Sequence, residues 1–142
     1  MKRPVLYFIL TALLATSCAS RKNLQNITVE PLVKTTQSWN GDELPHYGDG
    51  TPEVTVLRIT IPPGASLKPH KHLCINVGIL TKGELTVMTE TNQSLHITEG
   101  ESIVELVNTW HYGKNTGRKP AEIVVFYAGT VDQPITVLKD DN

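Results

Sequence analysis

The chain has 142 residues, enough for one ordinary domain and not two. Its 39% hydrophobic and 19% charged residues exclude a disordered tail, a collagen and a coiled coil. A net charge of −1 without a basic stripe argues against nucleic acid as a partner, and ten Gly with nine Pro point to a turn-rich, all-β chain.

The chain opens Met1-Lys2-Arg3, continues as an apolar run from Pro4 to Ala15, and reaches Thr16-Ser17-Cys18. A basic start, a short apolar stretch and small residues before a cut site describe a signal peptide over residues 1–17. The run is too short for a permanent bilayer span. Ala15-Thr16-Ser17-Cys18 resembles a bacterial lipobox, in which Cys18 would be lipidated and become the mature N-terminus. An ordinary signal with an incidental cysteine is the alternative. The lipoprotein reading implies a membrane-anchored protein of the cell envelope, and Ala19 after the cysteine implies the outer membrane, facing the periplasm. Only Cys18 and Cys74 occur, so a lipidated Cys18 leaves no disulfide framework.

Residues 18–40 read as a tether with a short edge strand at Ile27-Thr28-Val29, and residues 41–142 as the folded domain. Val54 to Ile61 alternates, with Leu57, Ile59 and Ile61 on one face. Lys71 to Leu80 reads as a second strand and Glu84 to Glu90 as a third, with a turn at Thr81-Lys82-Gly83. Leu95 to Thr98, Ser102 to Val107, Ala121 to Ala128 and Ile135 to Leu138 complete the series. Short strands at this spacing predict a sandwich or a barrel.

Five histidines occur. His70 and His72 are two apart, and alternate residues of a strand project to one side, so both imidazoles can chelate one ion. His111 lies beyond two hairpins, which can return it to the pair. The spacings resemble the two motifs of the cupin superfamily. The first runs Gly64, five residues, His70-x-His72, three residues, Asn76, six residues, Gly83. The second runs Gly100, five residues, Leu106-x-Asn108, two residues, His111, three residues, Asn115. The resemblance covers about residues 41 to 140. It implies an antiparallel jelly-roll-like β-barrel with a divalent metal ion (Fe, Mn, Ni or Zn) on His70, His72 and His111, and a homodimer joined by β-strands.

Departures from the family pattern matter. Asn76 stands where the family has Glu, and Leu106 and Asn108 where it has Pro and Gly. An amide brings no charge, so three neutral histidines leave a divalent cation uncompensated and favour an anionic or chelating small-molecule ligand. Asn76 remains a candidate ligand through its neutral oxygen. Cys74 shares the parity of His70 and His72 and is a further one. Glu105 sits where the family is apolar and inward; it is a candidate ligand, a candidate catalytic base, or a surface residue after a bulge. His46 and Tyr47 are other acid–base candidates in a turn-rich segment. His96 alternates with apolar neighbours and reads as outward, Trp110 and Tyr112 flank His111 and should point away from it, and Asn115 should fix the turn before Thr116-Gly117.

Two functions fit these residues. One is a small-molecule metalloenzyme of oxygenase, isomerase or lyase type, with the three-His site as Lewis acid or redox centre. The other is a non-catalytic envelope module that binds or senses a metal or a small ligand. A cupin that has lost its metal and binds an organic molecule is a variant of the second.

Overall fold

The computed structural model describes residues 27–140. Backbone contacts divide the chain between Glu30 and Pro31, and the strands all lie in the unit that begins at Pro31. The signal peptide and Cys18 lie outside the described residues.

Nine strands form the domain: β1 (Pro52–Ile61), β2 (His70–His72), β3 (Ile75–Lys82), β4 (Glu84–Thr89), β5 (Ser94–Thr98), β6 (Ser102–Val104), β7 (His111–Lys114), β8 (Ala121–Thr130) and β9 (Thr136–Leu138). No helix occurs among the described residues. Antiparallel pairing gives a four-stranded sheet, β1-β8-β3-β6, and a five-stranded sheet, β5-β4-β7-β2-β9. This is the jelly-roll architecture expected of the sequence.

Alternation builds the interior. Along β8, Ala121, Ile123, Val125 and Tyr127 are buried while their neighbours are not. Along β4, Leu85, Val87 and Thr89 do the same from the other sheet. The apolar members of these rows, with Ile61, Leu80, Ile97 and Ile103, make one core. Gly83, between β3 and β4, has φ +75°, and a Cβ there would stand 2.7 Å from the Pro120 carbonyl oxygen; only glycine combines that backbone with that approach. Asn115 is fully buried. Its Nδ2 donates to the carbonyls of Ile61 (2.9 Å) and Lys119 (2.8 Å), and its Oδ1 accepts from the Gly117 amide (2.9 Å). The side chain ties the ends of β1 and β7 to the turn that follows, as its position suggested.

Four expectations need correction. Ile27-Thr28-Val29 forms no strand, and Ile27 and Val29 are exposed. Lys71 to Leu80 is two strands, because the chain bends at Leu73–Cys74 and passes from one sheet to the other. The strand from Ser102 ends at Val104, not Val107. A further strand, β7, carries His111; its four residues, His-Tyr-Gly-Lys, are too mixed to give a periodic signal.

Candidate metal centre

His70 and His72 enter the barrel from β2, and His111 enters from β7. The strands are neighbours, and His70 pairs directly with His111. One ligand nitrogen from each ring lies within 4.8 Å of the other two. Ring centroids are 4.6 to 5.0 Å apart, and all three residues are buried.

The second nitrogen of each ring is held by the backbone. Nδ1 of His70 lies 2.7 Å from the Lys68 carbonyl, Nδ1 of His111 lies 2.8 Å from the Thr109 carbonyl, and Nδ1 of His72 lies 3.2 Å from the Ile135 carbonyl and 3.0 Å from Thr136 Oγ1. A carbonyl only accepts, so each Nδ1 carries the hydrogen and each Nε2 offers a lone pair. Burial, reinforced by the neighbouring imidazoles, lowers His72 to about 3. Burial also lowers His111 to about 4, against the opposing pull of the Thr109 carbonyl. At neutral pH these two rings are uncharged donors of electron pairs.

Glu105 is the inward carboxylate of the site. Ile103, Val104, Glu105 and Leu106 are all buried, so the two-residue alternation lapses here and the surface position is ruled out. Its amide donates to the Asn76 carbonyl (3.1 Å), and its own carbonyl accepts from Ser38 Oγ (2.8 Å). Its Oε2 stands 3.6 Å from Nε2 of His111, and neither atom has a hydrogen-bond partner. Burial pushes the carboxyl up to about 7, against the opposing effect of the Leu106 amide. Orphaned buried acceptors around one point fit a cation, which would satisfy lone pairs that cost free energy when left unmet.

Asn76 is buried, but its Nδ2 turns to the Cys74 carbonyl (3.3 Å) and its Oδ1 is unpartnered. Cys74 does not join the histidines. Its parity argument fails at the bend after β2, and its Sγ packs beside Gly129, where burial raises its pKa. His96 is exposed on β5 with Nδ1 3.0 Å from Thr86 Oγ1, while Trp110 and Tyr112 lie outside the barrel wall, Trp110 beneath the ammonium groups of Lys71 and Lys139. Sequence reasoning missed Tyr127. Its ring meets His72 edge-on at 5.4 Å, it faces the same cavity, and burial, then Glu105, pushes its hydroxyl up to about 12. The signal was available: Tyr127 continues the inward row Ala121, Ile123, Val125.

The cavity holding the imidazoles, Glu105 and Tyr127 measures about 40 Å³. A second cavity of about 360 Å³ is lined by His46, Tyr47, Asn108 and Gln133, together with Cys74 and Gly129 from the stretches that follow His72 and Tyr127.

The sequence profile of the family described as "Cupin domain" matches residues 57–127, half of the chain, spanning both histidine motifs. The chain belongs to the cupin superfamily. No curated protein matches it. Among solved structures, this cupin is similar to an oxalate oxidase in complex with the substrate analogue glycolate. The two share 28% identity at a TM-score of 0.52 over 60% of this chain, and the match spans 45% of the oxidase. It also resembles an uncharacterized protein with a double-stranded β-helix domain from Klebsiella pneumoniae (17% identity, TM-score 0.54, 68% of this chain and 90% of that one). The polyketide cyclase RemF from Streptomyces resistomycificus is a third (13%, TM-score 0.53, 66% and 65%). The last two likenesses concern the fold alone. With its buried three-histidine cluster, the chain is a cupin built for a divalent metal.

Proposed function

We propose that the chain holds one divalent metal ion on His70, His72 and His111 and applies it to a small anionic or chelating molecule, as a metalloenzyme of oxygenase, isomerase or lyase type. The observation that carries this reading is the anchoring of every Nδ1, which leaves three Nε2 lone pairs converging between the two sheets. The bound ion would supply Lewis-acid polarisation and, if iron or manganese, redox chemistry. The protein's own residues do the rest. Leu85, Val87, Ile123 and Val125 wall the cavity against water, and Tyr127, neutral at physiological pH, offers a hydroxyl to a ligand oxygen. Of the acid–base candidates, Glu105 alone lines this cavity; His46 and Tyr47 line the larger one. The likeness to an oxalate oxidase in complex with glycolate supports small carboxylic acids as the ligand class.

A second reading rests on size. The cavity of about 40 Å³ has room for an ion and about one water, not for an organic substrate in the same space. That favours a non-catalytic envelope module that captures metal, with any organic ligand in the larger cavity. Elemental analysis of untagged protein, followed by oxygen uptake with glycolate and oxalate, separates the readings. One metal per chain with turnover supports the enzyme, one metal without turnover across small carboxylic acids supports the module, and no metal after soaking in Fe(II), Mn(II), Ni(II) and Zn(II) overturns both.

We also propose that Cys18 is lipidated and tethers the domain to the outer membrane, on the sequence Ala15-Thr16-Ser17-Cys18. A homodimer through the outer face of the four-stranded sheet is the matching proposal for assembly. Val54, Val56, Ile79 and Phe126 are exposed there, and Val56 pairs with Phe126 across β1 and β8.

A further inference from the structure

We infer that Glu105 is the fourth protein ligand of the metal, supplied by the chain after β6 in place of the carboxylate missing at Asn76. The inference rests on the metal-binding reading above and adds a residue that the three-histidine cluster does not contain. Position 105 stands beside position 76 on the neighbouring strand. Val77 of β3 pairs with Val104 of β6, and the Glu105 amide donates to the Asn76 carbonyl at 3.1 Å. A carboxylate lost from one strand is thus available one strand away, in the same layer of the barrel.

The spacing from His111 suits ligation better than a supporting role. Two ligand atoms that each sit about 2.0–2.2 Å from one ion are separated by about 3–3.5 Å at tetrahedral or octahedral angles. Glu105 Oε2 lies 3.6 Å from His111 Nε2. The usual outer partner of a metal-bound imidazole receives the hydrogen of its other nitrogen; for His111 that partner is the Thr109 carbonyl, 2.8 Å from Nδ1. Glu105 therefore has no hydrogen to accept from His111 once Nε2 binds metal. Left off the ion, it would be a buried carboxylate with an unmet oxygen. Glu105 is outside the set of mutually close ligand atoms, which holds the imidazoles alone, and approaches it at the His111 corner. Ligation requires its side chain to turn from the His111 corner toward His70 and His72. The result is a three-histidine, one-carboxylate site with one negative charge against the ion's two positive ones, and it needs a smaller compensating charge from the ligand.

The test is Co(II) titration of the metal-free full chain in wild type, Glu105→Gln, Glu105→Gln with Asn76→Glu, and His72→Ala, read by visible absorption and by competition with a chelator. The expected result is one Co(II) per wild-type chain, affinity lower by more than about tenfold with a changed d–d spectrum in Glu105→Gln, and recovery when Asn76→Glu returns the carboxylate to the other strand. Wild-type affinity and spectrum in Glu105→Gln, with no binding in His72→Ala, would overturn Glu105 and leave the three-histidine centre standing. No Co(II) bound by wild type overturns both. Infrared difference spectra of wild type with one equivalent of Zn(II) need no variant: a shifted carboxylate stretch is expected, and its absence removes the ligand.

Discussion

His70 and His111 face one another as a directly paired couple on adjacent strands, their rings 4.6 Å apart, although 40 positions separate them in sequence. The register of β7 against β2 and β4 therefore decides whether the site exists. A slip of one residue would turn His111 outward and bring Tyr112 or Trp110 to the interior.

Asn115 helps to hold that register, since it clamps the end of β7 to Ile61 and Lys119 through a fully buried amide. Asn115→Ala leaves two carbonyls and one amide without partners, and a loss of about 3 kcal/mol in urea unfolding is expected. Wild-type stability in that variant would contradict the clamp.

The pH dependence of the metal-free protein should single out Glu105. Burial raises its carboxyl from 4.5 to about 7, so its contribution is present below 4.5 and is lost as pH rises through 7. His72 and His111 run the other way. Lowered from 6.5 to about 3 and about 4, they contribute above 6.5 and lose that contribution as pH falls through the folded values. The stability of Glu105→Gln relative to wild type should accordingly rise between about pH 5 and about pH 8. A difference that does not vary with pH contradicts the buried carboxylate.

Cys74 offers a negative control. Its thiol packs beside Gly129 in the second cavity and away from the imidazoles. Cys74→Ser should leave metal stoichiometry and affinity unchanged while lowering stability by about 1–3 kcal/mol, the cost of a buried hydroxyl without a partner. A change in the metal spectrum would return Cys74 to the site.

Two predictions address assembly and location. Phe126→Glu places a charge in the exposed apolar row of the four-stranded sheet, and light scattering should show a monomer for this variant against the proposed dimer for wild type. A wild type that is monomeric at all concentrations removes the dimer. Cys18→Ser should release the protein from membranes in fractionated cells, and unchanged membrane partition removes the anchor.

Much of this fold was legible because alternation is a local property. β1, β4 and β8 follow the pattern of their apolar residues within two or three positions, and the motif spacings placed His70, His72 and His111 together before any geometry was known. Two of the failures come from the transfer of the chain between sheets. Leu73–Cys74 is a bend, so the parity that correctly paired His70 with His72 misplaced Cys74. At Ile103 to Leu106 four consecutive residues are buried, so no period could orient Glu105. Tyr127 needed the opposite sheet to reveal what it faces, as its inward row reads equally well as plain core.

The most direct test of the account is metal stoichiometry by elemental analysis in wild type and His72→Ala, each purified without an affinity tag and each checked for folding by circular dichroism. The account predicts about one divalent ion per wild-type chain and a large loss of bound metal in a folded His72→Ala, because one of the three converging imidazole nitrogens is gone. A folded His72→Ala that keeps its full complement of metal would contradict it.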